Sequence, residues 1–170
     1  MDNVAKKDCI SMNICYICHM ASTLSKIYIH LIFAVKGRYS LIPLQWLPTV
    51  HAYMAATIRS LGHECVVVGG TENHVHILIE YNINKLLPDM IRDLKIATTK
   101  FINLKRFVVG RFQWQRGYAA LSYSKSAIPQ LKEYIGYQFE HHKGVSLDEE
   151  VRKFLDRYEI EYDGQYLFED

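Results

Sequence analysis

The sequence predicts an α+β domain in which a ferredoxin-like antiparallel sheet carries helices packed on one face, with an extra C-terminal helix. Three observations lead to this fold class. The chain of 170 residues is 49% hydrophobic and 22% charged, a composition typical of one globular domain with a substantial core. Strand and helix signals follow one another in the order β-α-β-β-α-β, and further helical spacing comes after that unit.

The first strand and the first helix have the clearest signals. Residues 27–35 are rich in Ile, Tyr, Phe and Val and predict a buried strand. Residues 46–61 have helical spacing, with Pro48 near the start and Gly62 as the stop. A strand followed by a helix therefore opens the domain.

The middle of the chain predicts a strand pair and a basic helix. Residues 63–68 and 73–81 read as strands, antiparallel through a short connection with a turn at residues 69–70. Residues 84–104 predict a second helical region, broken near residues 98–99.

The last elements complete the sheet and add helices. Residues 112–123 predict one or two further strands, residues 128–142 a third helix and residues 147–158 a fourth. Helices on one face of such a sheet leave the other face open. We expect that face to be buried by a partner, by a ligand or by the C-terminal helices.

Charge is unevenly distributed along the chain and suggests three segments. Residues 85–116 contain eight Lys or Arg and two acids, whereas residues 144–170 contain nine acids and three basic residues. We divide the chain into a flexible N-terminal extension (1–20), a catalytic domain (21–144) and an acidic C-terminal helical tail (145–170). The basic middle segment is typical either of a surface that meets an anionic ligand or of a solvated face.

The first twenty residues predict no targeting or membrane segment. They have no sustained apolar core and no cleavage-like end, and no run in the chain approaches the roughly 18 apolar residues that a membrane span needs. Cys15 and Cys18 form a CxxC with no second pair at zinc-ribbon spacing. We expect free cysteines, a reducing cytoplasmic setting and no membrane partner.

Two histidines stand one residue apart in the apolar stretch GGTENHVHILIEY. Because side chains alternate along a strand, His74 and His76 are expected to share one face, with Val75 and Ile77 on the other. Two neutral imidazoles so placed can bind one divalent metal ion, but two hydrogen-bonded structural histidines would give the same pattern. A catalytic metal usually has a third protein ligand.

The stretch LKEYIGYQFEHH contains candidates for the third metal ligand and for a nucleophile. On a helix, Tyr134, Gln138 and either His141 or His142 form one polar row. The Gln138 carbonyl oxygen suits Mg²⁺ or Mn²⁺, and a neighbouring tyrosine could attack a phosphorus centre to form a phosphotyrosine. Three other tyrosines are rival nucleophiles: Tyr118, Tyr123 and Tyr137. Tyr137 is disfavoured because it lies off the helical row that carries Gln138.

These motifs together resemble a known family. His74-Val75-His76 matches the HUH motif (His, hydrophobic, His), and Tyr134-x-x-x-Gln138 matches the helix of the single-tyrosine branch, the transposases of single-strand insertion sequences with their REP-associated relatives. The segments KIYIHLIFAVKGR, FQWQRGYAALSYS and YIGYQFEHHKG agree as well, so the resemblance spans roughly residues 22–144.

The resemblance implies an enzyme that cleaves and rejoins single-stranded DNA near hairpins, in DNA transposition or recombination. Tyr134 would be the nucleophile that becomes joined to the 5′ phosphate. His74, His76 and Gln138 would hold the divalent metal, Mg²⁺ or Mn²⁺. The family forms homodimers, and a tyrosine helix can complete the metal site of either its own or the partner subunit. Asn73 departs from the acid that family members often carry at that position.

DNA phosphates require positive charge, which the basic segment supplies. The predicted DNA-binding residues are five cations and one aromatic side chain that could stack on bases: Lys95, Lys100, Lys105, Arg106, Arg111 and Trp114. Tyr118 is a second stacking candidate. The alternative function is a non-catalytic protein that binds single-stranded DNA hairpins on the same fold. A metal hydrolase of small molecules is a third, and it leaves the basic helix unexplained.

Overall fold

The computed structural model describes residues 24–38, 40–138 and 146–162. Four strands and four longer helices lie in these ranges, and short 3-10 turns occur at Lys36–Arg38, Leu44–Trp46 and Lys125–Ala127. The strands are β1 (Tyr28–Ala34), β2 (Glu64–Gly70), β3 (His74–Glu80) and β4 (Ala119–Tyr123). The helices are α1 (Leu47–Ser60), α2 (Leu87–Lys105), α3 (Ile128–Gly136) and α4 (Leu147–Arg157).

The four strands form one sheet in the order β2-β3-β1-β4, and every neighbouring pair is antiparallel. This order, with α1 between β1 and β2 and α2 between β3 and β4, is the ferredoxin-like arrangement. The predicted fold class is confirmed. The central strands β1 and β3 are in register with Ile32 opposite His76 and Ala34 opposite His74.

One face of the sheet forms the main hydrophobic core with α1 and α2. Side chains that alternate along β1 and β3 enter this core, because alternate residues of a strand point to the same side. The helices contribute their apolar stripes. The fully buried members are Leu31, Ile42, Val50, Met54, Ile58, Val75, Ile77, Ile79, Leu94, Ile102 and Phe112.

The opposite face is covered by the last two helices of the same chain. Leu131 and Ile135 of α3 pack with Tyr28 and Leu78 of the sheet. Helix α4 covers the neighbouring strands, and its cluster contains Leu147, Val151, Leu155, Ile32, Ala34 and Leu121. The predicted need to bury this face is therefore met within the chain by α3 and α4.

Helix α4 is the helix predicted for the acidic tail. Ser146 caps it, with the Ser146 hydroxyl accepting from the Glu149 backbone N–H and the Glu149 carboxylate accepting from the Ser146 backbone N–H. This reciprocal pair satisfies two otherwise unbonded amides at the start of the helix. The cap fixes where α4 begins and so which of its faces meets the sheet.

Two local predictions were wrong. The turn expected at residues 69–70 is part of β2, which runs to Gly70. Helix α2 is continuous across Thr98, because the Thr98 hydroxyl donates to the Leu94 carbonyl of the preceding turn and does not interrupt the helix. Of the one or two strands predicted within residues 112–123, one forms as β4, and Trp114 makes an isolated bridge with Val35.

The N-terminal extension and the end of the predicted third helix fall outside the described residues. This applies to residues 1–23, which include three of the cysteines, and to residues 139–145, which include His141 and His142. Within the described ranges, no helix is both long and apolar enough to cross a membrane.

The contact between β2 and α3 requires a glycine. A Cβ placed on Gly69 would lie 2.0 Å from the Ile135 carbonyl oxygen and 2.9 Å from Ile135 Cγ2. Real Cβ atoms do not approach a backbone oxygen so closely. Gly69 therefore determines how closely α3 approaches the sheet. Because Ile135 is next to Tyr134 on α3, the same contact affects the position of Tyr134.

We expect Gly69→Ala to push α3 away from β2 and to lower the free energy of unfolding by about 1–3 kcal/mol. Gly136→Ala is the matched control in the same helix, because a Cβ there meets no atom within 4 Å. Urea unfolding of both variants measures the effect. Equal stability of Gly69→Ala and the wild type would contradict this account of the contact.

Candidate active site and metal centre

The two histidines of β3 lie side by side on the sheet face that α3 and α4 cover. The exposed fraction is 1% for His74 and 0% for His76, and their ring centroids are 5.0 Å apart. Their position follows from strand alternation, since Val75 and Ile77 between and after them enter the core on the other face. Burial of two polar rings requires hydrogen-bond partners.

His74 is oriented by the residues that precede it. Its Nδ1 lies 2.6 Å from Asn73 Oδ1 and 2.9 Å from the hydroxyl of Thr71, and that hydroxyl also donates to Asn73 Oδ1. When His74 Nδ1 donates to the amide oxygen, the Nε2 lone pair is available to a metal. Asn73 therefore makes the hydrogen bond that an acid would make at this position.

His76 is oriented by a histidine of the adjacent strand. Nδ1 of His76 lies 2.9 Å from Nε2 of His30, and the two rings are stacked with centroids 5.1 Å apart. Burial, reinforced by the neighbouring His76, holds the pKa of His30 well below its ordinary value. His30 is therefore a neutral imidazole at neutral pH.

A carboxylate from α4 completes the cluster. Oε2 of Glu150 lies 3.5 Å from His76 Nε2 and 3.9 Å from His74 Nε2, and Glu150 is 3% exposed. Burial raises the pKa of Glu150 to about 7. The three donor atoms lie within 4.8 Å of one another, and a cation with bonds of about 2.0–2.2 Å would draw them together to roughly 3.0–3.5 Å. Two imidazoles and one carboxylate thus fit a divalent metal.

Gln138 lies directly beside this cluster. Its side chain is 1% exposed, and its Nε2 donates to Glu150 Oε1 over 3.2 Å. The residue predicted as third ligand is thus brought to the site, where it contacts the carboxylate that itself contacts both histidines. Glu150 is the group that sequence reasoning missed.

The ring of Tyr134 is against the histidines of its own chain. Its centroid is 5.9 Å from that of His76, at an interplanar angle of 87°, and 6.0 Å from Phe154 of α4. Tyr134 is half-buried, so its ring reaches both the cluster and the surface. Tyr137 is 64% exposed and lies off this row, as the helical spacing predicted.

Two of the groups at the site left faint signals in the sequence. Glu150 falls within the apolar row of α4, between Leu147 and Val151, where an acid is out of place on an otherwise inward-facing stripe. His30 interrupts the apolar run of β1 and points to the same face as Ile32. Neither signal indicates which strand or helix would lie opposite.

The basic residues of α2 border a cleft of about 620 Å³ between this helix and the segment 113–118. Charged side chains and Tyr118, which is 41% exposed, line it together with polar residues. The cations along the cleft are Lys36, Arg92, Lys95, Lys100 and Arg116. Lys105, Arg106 and Arg111 are exposed but are not among its lining residues.

Two of the predicted DNA-binding residues also have contacts within the protein. The Lys95 ammonium donates to the carbonyls of Gln115, Arg116 and Gly117 over 2.7–3.2 Å, and burial lowers its pKa to about 8. All three of its N–H groups therefore bond to the backbone that forms one wall of the cleft. Trp114 is 7% exposed, with its indole N–H donating to Thr98. Trp114 is thus packed in the main core, and it also lines the cleft.

Comparison with known proteins identifies the family. The profile described as "Transposase IS200 like" matches residues 23–138, which is more than half of the chain and includes both histidines, Tyr134 and Gln138. The chain belongs to the IS200-like transposase family. Glu150 lies beyond the matched residues.

The chain is also similar to individual transposases. The ISDra2 transposase TnpA of Deinococcus radiodurans is 24% identical over 116 residues, which cover 65% of this chain and 83% of the relative. A crystal structure described as a transposase from D. radiodurans R1 has a TM-score of 0.54 at 22% identity and covers 69% of this chain and 95% of its own. A REP-associated tyrosine transposase bound to a REP hairpin has a TM-score of 0.55 at 12% identity and covers 75% of this chain and 74% of its own.

The burial of Glu150 leads to a prediction about pH and metal. Because its pKa is raised from 4.5 to about 7 in the folded chain, the native state binds this proton more tightly than the unfolded state. The metal-free chain therefore loses stability as pH rises through that interval. We expect Glu150→Gln to raise the melting temperature at about pH 8 by several degrees and to weaken Mn²⁺ binding at least tenfold.

The exposed Glu133→Gln in α3 is the control and is expected to change neither quantity. Calorimetric titration with Mn²⁺ and thermal unfolding at two pH values provide the measurements. If Glu150→Gln bound Mn²⁺ as tightly as the wild type, the carboxylate would have no part in the metal site.

Proposed function

We propose that this IS200-like transposase cleaves and rejoins single-stranded DNA beside hairpins through a 5′-phosphotyrosine on Tyr134. The observation that carries the proposal is the contact between the Tyr134 ring and His76 at the buried cluster of His74, His76 and Glu150. A phenol next to a metal-binding cluster can attack a phosphorus centre whose charge that cluster helps to neutralise.

The proposed cofactor is a divalent cation, Mg²⁺ or Mn²⁺. His74, His76 and Glu150 would hold it, with Gln138 either adding its amide oxygen as a ligand or orienting Glu150 through the bond at 3.2 Å. When bound, the cation supplies Lewis-acid polarisation of phosphate oxygens. Asn73 and His30 hold the Nδ1 atoms of the two histidines, so that both Nε2 atoms face the cation position.

In the proposed reaction, the Tyr134 phenolic oxygen loses its proton and forms a bond to the scissile phosphorus. The bond from phosphorus to the 3′ oxygen breaks, and that oxygen takes up a proton to become a 3′ hydroxyl. Rejoining is the reverse, in which a 3′ hydroxyl attacks and Tyr134 leaves as the phenol. The phosphotyrosine keeps the energy of the phosphodiester bond, so the joining step requires no nucleotide.

The cleft along α2 is the proposed path for the DNA backbone. Its exposed cations would contact phosphates, and the exposed ring of Tyr118 would stack on an unpaired base. The hairpin in the complex of the REP-associated transposase supports a hairpin ligand for this fold. Assembly as a homodimer is a prediction from the family resemblance, and a cytoplasmic setting is a prediction from the cysteines and the N-terminal sequence.

Tyr134→Phe is expected to abolish covalent adduct formation with a hairpin-bearing single-stranded DNA in the presence of Mg²⁺ or Mn²⁺. The variant removes only the oxygen that would bond to phosphorus, so its ring should still pack on His76. Denaturing gel electrophoresis of labelled DNA detects the adduct, and a chelator is expected to prevent it.

Tyr137→Phe is the matched control, because this tyrosine is three residues from Tyr134 and its side chain is 64% exposed, and we expect the variant to form the adduct normally. An adduct that persists in Tyr134→Phe would remove Tyr134 from the role. Hairpin binding by the wild type without any adduct, unaffected by chelator, would favour the alternative of a non-catalytic hairpin-binding protein.

Lys100→Ala and Arg116→Ala are expected to weaken hairpin binding, each lowering the slope of log affinity against log salt by about 1. Both residues are exposed in the cleft. Lys26→Ala is the control, since that ammonium is paired with Glu80 at 2.9 Å and does not line the cleft. Fluorescence anisotropy over a range of salt gives the slopes. Unchanged slopes in both cleft variants would place the DNA elsewhere.

A further inference from the structure

We propose that His30 is a positioning residue that sets the tautomer of His76 and thereby its ability to bind metal. The proposal rests on the metal site of the proposed function and adds to it a residue of β1. His30 has no direct contact with the metal position in this assignment. It acts through the imidazole of His76.

The geometry of the two rings is specific. His30 and His76 are diagonal neighbours on the paired strands β1 and β3, where His76 lies opposite Ile32. His30 Nε2 and His76 Nδ1 are 2.9 Å apart, the length of an ordinary hydrogen bond. The same His76 ring has its Nε2 3.5 Å from the Glu150 carboxylate. One ring thus joins His30 on one side to the candidate metal ligands on the other.

Counting hydrogens on these nitrogens shows why this bond matters. One hydrogen lies between His30 and His76, so only one of the two rings donates. If His76 Nδ1–H donates, Nε2 of His76 carries a lone pair that can bind a cation. If His30 donates instead, the neutral His76 must carry its hydrogen on Nε2, where it blocks metal binding. A metal-binding His76 therefore requires His30 to accept.

The surroundings hold His30 in place for this role. The side chain is 0% exposed, with ring edges of Tyr123 and Phe154 packed against it at centroid distances of 5.8 and 5.6 Å. Its other nitrogen, Nδ1, makes no hydrogen bond within the part of the chain that the structure describes. The bond to His76 is thus the polar contact that fixes the ring.

The Nδ1 atoms of His74 and His76 have different hydrogen-bond acceptors. His74 stands at the start of β3, where the preceding Asn73 reaches back to its Nδ1. His76 lies within the strand and has its Nδ1 acceptor on the neighbouring strand, in His30. Each ligand nitrogen is thereby aimed at Glu150 from a ring that is held on its far side.

Two substitutions of His30 separate the hydrogen bond from the packing. His30→Phe keeps an aromatic ring between Tyr123 and Phe154 and removes the acceptor. His30→Gln can place its amide oxygen near the position of the imidazole Nε2 and so restores an acceptor. We expect His30→Phe to raise the Kd for Mn²⁺ about 10–100-fold, and His30→Gln to recover most of that loss. Calorimetric titration measures the Kd, and thermal unfolding of the same samples confirms that each variant is folded.

A folded His30→Phe variant that binds Mn²⁺ like the wild type would overturn the proposal, as would a His30→Gln variant as weak as His30→Phe. If His30→Phe does not fold, ¹⁵N NMR of the wild-type chain with Mg²⁺ tests the proposal instead, because it shows which nitrogen of His76 carries the proton. We expect the His76 proton on Nδ1, and a proton on Nε2 overturns the proposal. The proposed function fails separately, when the wild type neither binds Mn²⁺ nor forms the DNA adduct.

Discussion

The rest of the structure depends on the burial of two imidazoles in the centre of a sheet. Hydrogen-bond partners stabilise polar rings in such a place, because an unsatisfied buried group costs about 1–3 kcal/mol. Asn73 and His30 satisfy the far nitrogens of His74 and His76, and Glu150 faces the near ones. The arrangement that makes the histidines tolerable in the interior also leaves their Nε2 atoms aimed at a common point, which is what a metal site requires.

Helices α3 and α4 have two roles that cannot be separated. They bury the apolar residues of the second sheet face, and they carry Tyr134 and Glu150 to the histidines. Gly69 permits the close approach of α3, so the packing of a strand against a helix backbone determines the position of the tyrosine. Stability and chemistry thus rest on the same contacts, and changes far from the reacting atoms can alter the site.

The electrostatic design differs between the two functional regions. At the cluster, burial raises the pKa of Glu150 to about 7 and keeps His30 neutral, so the site without a cation is costly when the carboxylate is ionised. In the cleft, most cations are exposed and able to meet phosphates, whereas Lys95 is used internally to hold the carbonyls of residues 115–117. Burial thus separates the exposed cations, which are the proposed phosphate contacts, from a cation that bonds to the protein backbone.

The sequence by itself determined the strand and helix order, the common face of His74 and His76, and the Tyr134–Gln138 row, because the periods of strands and helices are local properties of the backbone. The tertiary structure alone decided which side chains lie opposite that face. Glu150 and His30 are distant from the pair in sequence and reach it through helix packing and strand register. The ring of Trp114 packs in the core, and the Lys95 ammonium bonds to the backbone of residues 115–117. Periodicity shows which way a side chain points, but its partner depends on how the elements pack together.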